Sequence, residues 1–310
     1  MPQSSILFIV NPAAASGTTQ KKWEKSYPVI RSYLGPIESV ITSSPGHATT
    51  ITADALRAGY ERIIGVGGDG TFNEILNGYF LNQEPINPDA KMGMLIQGTG
   101  RDLSRSLKLS KQLERTLQTI KADHSRCIDA GHIQYSANQQ YGEERYFANI
   151  ASFGLGGEVD LLMKHRFQKL GWNGSIAYLL AILTSLATYS LKQIKLEVDG
   201  DITWEGRIRN VAIANGKYFG GGLQIAPSAL LNDGMLDVIV IGDISIAYLL
   251  RHAHYFYQGR HQQLKGIHCF KGRKITVEGP HSVKMDVDGE PFGNLPASFS
   301  IIPNALNILY

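Results

Sequence analysis

A glycine-rich run between a strand pattern and a helix pattern constrains the fold of this chain most strongly. The segment RIIGVGGDGTFNEILN begins at Arg62 and ends at Asn77. Its first half is a short apolar run that ends near Val66, and its second half has the apolar spacing of a helix that begins near Thr71. This pattern predicts a strand, a tight turn and a helix at the carboxyl edge of a parallel sheet.

The glycines of this run allow the backbone to approach a ligand closely. Three residues lack the Cβ atoms that would collide with a phosphate group: Gly67, Gly68 and Gly70. The N-terminus of the following helix attracts the same anion. Asp69 lies among the glycines, and a carboxylate repels phosphate, so its position fits a divalent cation or a hydroxyl group that it polarises. A capping box formed by Thr71 and Glu74 explains the end of the run without a ligand, but it does not explain the glycines.

Two further glycine loops follow strand patterns in the same half of the chain. NPAAASG begins at Asn11 after ILFIV, and QGTGRDLSR begins at Gln97 after MGMLI. Three such loops predict one nucleotide site at the strand ends. The dinucleotide pattern G-x-G-x-x-G is matched by Gly65, Gly67 and Gly70, but the acidic residue expected about 20 positions later falls in a loop. The sequence contains no Walker motif.

The pattern of the chain changes near residue 126. Before it, the runs SSILFIV, PIESVIT, RIIGVGG and KMGMLIQG alternate with helix patterns, which predicts a parallel sheet with helices on its faces. After it, alternating strands and D-G turns predict an antiparallel sandwich or barrel, with a hairpin at Val198–Asp201 and helices inserted near 157–190 and 245–258. Because 310 residues exceed one ordinary domain, we expect two domains.

The composition excludes several classes of protein. A chain that is 43% apolar and 18% charged is globular and not disordered. Lys and Arg number 30 against 27 Asp and Glu, and the net charge of +3 calls for no nucleic-acid partner. The two cysteines, Cys127 and Cys269, are far apart in sequence, so neither a disulfide framework nor a thiolate zinc site is expected and a reducing compartment is favoured. The N-terminus has the pattern of a strand and not that of a signal peptide.

The uncharged stretch Asn173–Leu191 approaches the length of a membrane span. Serine and threonine residues interrupt it, and its largest side chains cluster on one helical side, so we expect a core or interfacial helix. Three basic residues precede it: Lys164, Arg166 and Lys169. They suit transient docking on an anionic bilayer, and equally a solvated helix beside a core helix.

Five segments, in one order along nearly the whole chain, resemble the diacylglycerol kinase catalytic-domain family, which includes bacterial lipid kinases and sphingosine kinases. They are NPAAASG, GGDGT followed by FNE, GTGRDLSR, PSALLNDGMLD and VDGE. GGDGT alone is shared with NAD kinases and loosely with 6-phosphofructokinases. The resemblance implies a three-layer α/β ATP-binding domain of that type over residues 1–125, to which the C-terminal segment 297–310 returns. It also implies an antiparallel β-sandwich domain for the lipid substrate over residues 126–296, with the chemistry in the cleft between the domains.

The same resemblance assigns roles to individual residues. It implies that ATP is contacted by Thr42, Gly67, Gly68, Asp69, Gly70, Thr71 and Thr99. A Mg²⁺ ion, structural or regulatory, would be bound by the carboxylate of Asp233 and the carbonyl groups of Leu230 and Met235, although N-D-G alone indicates an ordinary turn. Glu290 would be the general base, with Asp288 nearby, and Asp69 would hold the catalytic Mg²⁺ or orient the hydroxyl group. The roles of Asp69 and Glu290 could be exchanged.

One residue departs from the family pattern. The third loop of the family often reads G-T-x-N-D, and here Arg101 stands in place of the asparagine before Asp102. A cation at this position can hold a phosphate group or pair with Asp102.

The expected function is therefore that of an ATP- and Mg²⁺-dependent lipid kinase in the cytoplasm, peripheral at the membrane. The acceptor lipid and a homodimer are left open. An NAD kinase-like enzyme is one alternative, against which NDGMLD, VDGE and the apolar helix count. A non-catalytic nucleotide- or lipid-binding regulator is another, in which Arg101 marks lost chemistry. The presence of both Asp69 and Glu290 counts against that regulator.

Overall fold

The computed structural model describes residues 5–97, 101–137, 140–167 and 175–310. The chain forms two compact units: unit 1 comprises Met1–Ala130 and Ile302–Tyr310, and unit 2 comprises Gly131–Ile301. The change in the strand pattern places the first boundary after residue 125, and the family resemblance places the second after residue 296, each about five residues earlier than in the structure. One strand continues through each boundary of the structure, which is why the sequence shows no break in the strand pattern there.

Unit 1 is built on a parallel sheet whose strands match the four apolar runs predicted for this half. They are β1 (Ile6–Val10), β2 (Glu38–Ile41), β3 (Arg62–Gly67) and β6 (Lys91–Ile96), with a small separate hairpin of β4 (Phe80–Leu81) and β5 (Glu84–Pro85). The order across the sheet is β2-β1-β3-β6, all parallel. The chain's last strand adds a fifth member, since Asn307 pairs with Lys91 in parallel.

Helices cover both faces of this sheet. They are α1 (Ala14–Gly17), α2 (Thr19–Leu34), α3 (His47–Arg57), α4 (Asp69–Tyr79), α5 (Asp102–Ser106) and α6 (Leu113–Ala122). On one face, alternate strand residues such as Phe8 pack against Trp23 of α2 and Ile120 of α6. The other face carries α3 and α4, where the backbone of Gly65 lies against Ile75. The predicted three-layer α/β arrangement is confirmed.

Unit 2 is an antiparallel β-sandwich, as predicted. Its strands are β7 (Ser125–Ala137), β8 (Gln140–Phe147), β9 (Ile150–Gly154), β10 (Lys192–Val198), β11 (Ile202–Ile208), β12 (Asn210–Ala214), β13 (Leu236–Ile241), β14 (Ile267–Gly272), β15 (Lys274–Glu278), β16 (Lys284–Val287) and β17 (Glu290–Leu309). One sheet has the order β14-β13-β12-β9-β16-β17, and β10 joins β11 to β15. Alternate residues of these strands, such as Leu196 and Val238, form the core. The predicted hairpin is confirmed, with Asp199 and Gly200 in its turn at positive φ.

Helical segments interrupt the sandwich in the two predicted regions. They are α7 (Leu155–Leu162), a π-helical turn (Met163–Phe167), α8 (Ser175–Thr188), α9 (Ile246–Arg251), α10 (Ala253–Tyr257) and a short 3₁₀ helix (His261–Gln263). Helix α8 buries Ala177 and Ala181 against Val159 of α7. Leu180 and Leu183 remain 36% and 44% exposed. The packed side of α8 also includes Leu186, which is buried, while Leu180 and Leu183 are exposed to solvent.

The helices and the cysteines bear on whether the chain spans a membrane or forms a disulfide. None of the helices that the structure describes has the length and hydropathy required to span a bilayer. Cys127 and Cys269 are both free thiols.

Candidate functional site

The loops of unit 1 that carry the glycine motifs meet at the carboxyl edge of its parallel sheet. Backbone hydrogen bonds extend one residue beyond the strands, from Asn11 N–H to Val66 O (3.0 Å), from Thr42 N–H to Val10 O (2.9 Å) and from Gln97 N–H to Gly67 O (2.8 Å). These bonds place the ends of four neighbouring strands in register. The loops after β1, β3 and β6 therefore begin side by side, as the sequence predicts.

The direction of the strand order reverses at β1, which opens a crevice between the carboxyl ends of β1 and β3. From β1 the chain moves outward to β2 and then returns to β3 on the opposite side of β1. The helices that follow β1 and β3 consequently cover opposite faces of the sheet, and ligands of open α/β sheets bind at such a reversal. The side chain of Asn11 reaches across it, since Asn11 Nδ2 donates a hydrogen bond to Thr71 Oγ1 at 3.0 Å.

Two of the glycines in the central loop are explained by helix packing. A Cβ atom on Gly67 would lie 2.3 Å from Thr71 Oγ1, and one on Gly65 would lie 2.7 Å from Ile75 Cδ1. These glycines let α4 approach β3. Gly68 is the N-cap of α4 and Gly70 lies in its first turn.

The capping-box interpretation of Thr71 and Glu74 is wrong. Helix α4 begins at Asp69 with Gly68 as its N-cap, and no side chain caps it. Thr71 lies inside the helix and is 4% exposed. Glu74 Oε2 accepts a hydrogen bond from Ala48 N–H at 3.2 Å, so this carboxylate connects α4 to α3 and does not close its own helix end.

Asp69 connects the central loop to the third glycine loop. Its Oδ2 atom accepts a hydrogen bond from the backbone N–H of Asp102 at 2.9 Å. Asp102 itself pairs with Arg105, with Oδ1 3.0 Å from Nη1, whereas Arg101 is exposed. Thr99, a predicted ATP contact, lies outside the described residues.

The turn that carries VDGE in unit 2 is held by an aspartate. Asp288 and Gly289 form a two-residue hairpin turn between β16 and β17, both at positive φ. The carboxylate of Asp288 accepts backbone N–H groups from Ala148 (3.4 Å), Asn149 (3.2 Å) and Ile150 (3.0 Å). Asp288 thus fixes the start of β9. Glu290, the predicted base, follows as the first residue of β17 and is partly buried.

A buried carboxyl group lies behind this turn. Asp286 is 5% exposed, and its Oδ1 accepts a short hydrogen bond from Ser152 Oγ. The first turn of α7 lies against it, because a Cβ atom on Gly156 would be 2.9 Å from Asp286 Oδ1. Asp160 follows Gly156 by four residues and so lies on the same side of α7.

Two buried carboxyl groups in this region, Asp286 and Asp160, have raised pKa values. Burial raises the pKa of Asp286 to about 7, the hydrogen bond from Ser152 opposes this rise, and the charge of Asp288 adds to it. Burial, with the charges of Asp286 and Glu290, raises the pKa of Asp160 well above its usual range. Groups that change protonation near neutral pH are typical of acid–base chemistry.

Sequence reasoning missed the roles of Asp160, Asp286 and Ser152. Asp286 directly precedes the VDGE motif, but nothing in its spacing separates a buried carboxyl group from a turn residue. Asp160 lies 126 residues earlier in the chain. A sequence signal for this cluster was the pair Gly156 and Gly157 at the start of a helix. Such a pair indicates that another part of the chain packs closely there, but it does not identify that part.

The predicted metal turn of unit 2 already contains a cation. Asp233 Oδ1 accepts a hydrogen bond from Met235 N–H at 3.1 Å, and Oδ2 lies 2.7 Å from Lys271 Nζ. The same ammonium group is 3.4 Å from Asp237 Oδ2. Burial alone would lower the pKa of Lys271, but the hydrogen bond to Asp233 and the charge of Asp237 raise it overall. Across the described part of the chain, no cluster of three or more metal-binding side chains of the His, Cys, Asp or Glu type occurs.

Unit 2 also contains a polar cavity of about 450 Å³ between α7 and α8. Its charged lining residues are Glu158, Arg166 and Lys192. The hydroxyl group of Tyr189 is buried beside it, and burial together with the charge of Glu158 raises the pKa of Tyr189 to about 12.

Two family models together match most of the chain. Residues 5–133 match the diacylglycerol kinase catalytic domain, and residues 151–310 match the YegS C-terminal NAD kinase beta sandwich-like domain. The boundary between the two matches falls close to the boundary between unit 1 and unit 2.

Curated relatives and solved structures agree with these matches. The chain is 28% identical over 261 residues to a diacylglycerol kinase of Bacillus subtilis, covering 82% of this chain and 81% of that one. It is 26% identical over 306 residues to one of Mycobacterium tuberculosis, covering 98% and 94%. The fold matches the crystal structure of a diacylglycerol kinase from Bacillus anthracis with a TM-score of 0.70 and 20% identity, covering 98% and 96%. It also matches yeast NADH kinase with a TM-score of 0.53 and 13% identity, covering 99% and 86%.

Proposed function

Because this chain belongs to the diacylglycerol kinase family and is a lipid kinase, we propose that it transfers the γ-phosphoryl group of ATP to the hydroxyl group of a diacylglycerol-like lipid, with Mg²⁺ as cofactor. The observation that carries this proposal is the crevice between the ends of β1 and β3, with the N-terminus of α4 beside it. Backbone N–H groups and a helix N-terminus at such a reversal suit the phosphate groups of a nucleotide.

We assign ATP binding to the residues around that crevice. They are Thr42, Gly67, Gly68, Asp69, Gly70 and Thr71, together with Thr99. Thr42 follows β2 at the same sheet edge as Gly67, which supports a common ligand. The packing role of Gly67 does not exclude its backbone from this contact, since a glycine at this place serves helix packing and phosphate approach together.

Phosphoryl transfer requires few covalent roles from the protein. The lipid oxygen bonds to the γ-phosphorus as the bond to ADP breaks, and a carboxylate accepts the proton of the hydroxyl group. We assign proton acceptance to Glu290 and the binding of Mg²⁺, a hard cation that prefers oxygen ligands, to Asp69. The raised pKa values of Asp160 and Asp286 beside Glu290 support a proton-handling role for this part of unit 2. Bound Mg²⁺ would supply charge neutralisation on the phosphate oxygens.

The test is phosphoryl transfer from radiolabelled ATP to a panel of lipids in mixed micelles. The panel contains diacylglycerol, phosphatidylglycerol, a sphingoid base and a polyprenol, with NAD⁺ as a separate acceptor. We expect label in one lipid and a loss of at least about 100-fold in Asp69→Ala, the size of effect that removal of one electrostatic group has in an active site. Asp54→Asn, at an exposed position on α3, is the control.

Three other outcomes would point to a different role for Asp69 or a different function. Full activity of a folded Asp69→Ala would refute the role of Asp69. Label in NAD⁺ and in none of the lipids would favour the NAD kinase-like alternative. No transfer to any acceptor, with ATP binding retained, would favour a nucleotide-binding regulator.

We further propose that the protein is cytoplasmic and that α8 makes transient contact with the surface of an anionic bilayer. Leu180 and Leu183 are exposed on α8, and the exposed cation Arg166 lies on the π-helical turn before it. Apolar side chains beside basic ones favour an anionic lipid surface. A kinase with a lipid acceptor must reach its substrate in such a surface.

A further inference from the structure

We propose that the ammonium group of Lys271 is the resident cation of the N-D-G turn and occupies the place at Asp233 that Mg²⁺ was expected to fill. The turn of unit 2 would then be stabilised by the chain's own side chain and not by a divalent cation. This inference concerns folding of unit 2 and is independent of which phosphoryl acceptor the enzyme uses.

The first support is geometric. Lys271 Nζ lies 2.7 Å from Asp233 Oδ2 and 3.4 Å from Asp237 Oδ2, so it is between two carboxylates. The remaining oxygen of Asp233 accepts the N–H of Met235 at 3.1 Å. Both oxygens of the carboxylate that Mg²⁺ would need thus have partners within the protein.

The second support is the strand register that delivers the lysine. Asp237 on β13 stands directly opposite Lys271 on β14 in an antiparallel pair. Residues in such a pair project to the same side of the sheet. Asp237 is 5% exposed and is fixed by Ser228, whose hydroxyl donates to Asp237 Oδ1 at 2.8 Å. The lysine is therefore guided to the turn by a rigid part of the fold.

The third support is charge. Asp233 and Asp237 together carry a charge of −2, which alone would attract a divalent cation. The ammonium group of Lys271 reduces that charge to −1. It would also repel a Mg²⁺ ion bound at Asp233, because the two cations would lie close together. Mg²⁺ loses its hydration water reluctantly and gains little from a carboxylate that is already paired. Removal of the ammonium group should therefore convert the turn into a divalent cation site.

The experiment compares thermal unfolding in EDTA with unfolding in millimolar MgCl₂, without nucleotide, for the full-length protein. We expect the Tm of the wild-type chain to be unchanged by Mg²⁺. Lys271→Gln keeps the length of the side chain and removes its charge. We expect a lower Tm in EDTA and a Mg²⁺-dependent rise of roughly 5–10 °C in this variant, the shift produced by a ligand at about 100 times its Kd.

The matched control is Lys195→Gln. Lys195 is exposed on β10 and also stands opposite an acidic residue, Glu205, in an antiparallel pair. It lies outside the turn, so its variant should show no Mg²⁺-dependent change in Tm. The double variant Lys271→Gln with Asp233→Asn should lose the Mg²⁺ response of the single variant.

Two results would overturn the proposal. One is a Mg²⁺-dependent rise in the Tm of the wild-type chain that Asp233→Asn abolishes. The other is a folded Lys271→Gln that shows no response to Mg²⁺. If Lys271→Gln does not fold, diffraction from wild-type crystals soaked in Mn²⁺ decides the question: an anomalous peak at Asp233 contradicts the proposal, and its absence there, with Mn²⁺ present elsewhere in the crystal, supports it.

Discussion

At the scale of single residues, the raised pKa of Asp286 makes the stability of unit 2 depend on pH. The pKa of this buried carboxyl group is raised by burial to about 7, against a usual value of 3.8. Between these values the folded chain keeps a proton that the unfolded chain has released. The unfolded state then binds fewer protons, so the free energy of unfolding falls as the pH rises through this window and is constant above it.

Asp286→Asn tests this directly. An amide keeps an oxygen that can accept the hydrogen bond from Ser152 and cannot ionise. Near pH 8 the wild-type carboxyl group is ionised and buried, whereas the amide is neutral. We therefore expect the variant to be more stable than the wild-type chain by about 1–3 kcal/mol, which is the usual cost of a buried polar group that is not fully compensated. Below the usual pKa of aspartate the two should unfold with similar free energies. Urea unfolding at a series of pH values measures the difference.

A control separates this effect from the general loss of a negative charge. Asp201→Asn, at an exposed position in the β10–β11 hairpin, should change the free energy of unfolding little at any pH. Equal destabilisation of Asp286→Asn near pH 4 and near pH 8 would show that the carboxyl group is not protonated in the folded chain.

At the scale of the element, α8 has one packed side and one exposed apolar side. Ala177 and Ala181 are buried against α7, and the larger Ile182 packs beside them. Leu180 and Leu183 are 36% and 44% exposed. This division fits the core or interfacial helix that the sequence predicts, because one side packs in unit 2 and the other presents leucines to solvent.

Leu183→Ser is therefore expected to weaken membrane binding without destabilising the fold. Transfer of one leucine side chain into an apolar phase is worth about 1.5–3 kcal/mol, so binding to vesicles that contain phosphatidylglycerol should weaken about tenfold or more. Ile202→Ser is a close control, because Ile202 on β11 is 43% exposed and Leu183 is 44% exposed. Vesicle co-sedimentation measures both variants. Equal binding by Leu183→Ser and the wild-type chain would exclude this leucine from the membrane contact.

At the scale of the whole molecule, the sequence predicts what depends on neighbouring residues and fails where distant ones meet. The four strands of unit 1, the Asp199–Gly200 hairpin and the helix insertions follow from local apolar spacing and turn chemistry. The bond from Asp102 N–H to Asp69 joins residues 33 positions apart, and that from Lys271 to Asp233 spans 38. Such contacts depend on strand register and helix packing, which no local pattern specifies.

The same limit applies to the boundaries of the units. The C-terminal return was inferred from a family resemblance, and apolar spacing alone does not assign 302–310 to either unit. The structure shows why these residues belong to unit 1. Asn304 N–H donates to Asp129 Oδ1 at 2.8 Å, and Asn307 Nδ2 donates to Pro88 O at 2.8 Å. Leu309 is 2% exposed in the core that contains Trp23.

Leu309→Ala should therefore destabilise unit 1, although the whole of unit 2 separates residue 309 in sequence from the rest of that core. Leu309 packs on β6, where a Cβ atom on Gly93 would lie 3.2 Å from Leu309 Cδ1. Truncation of a buried leucine costs about 2–5 kcal/mol.

Fluorescence of Trp23, in a chain with Trp172 and Trp204 replaced by phenylalanine, reports unfolding of unit 1 in urea. Leu81→Ala, at a 54% exposed position of the same unit, should cost less than about 0.5 kcal/mol. If Leu309→Ala leaves the Trp23 transition unchanged, the last strand is not part of the folding unit that contains Trp23, and the parallel sheet of unit 1 must be stable with β6 as its edge.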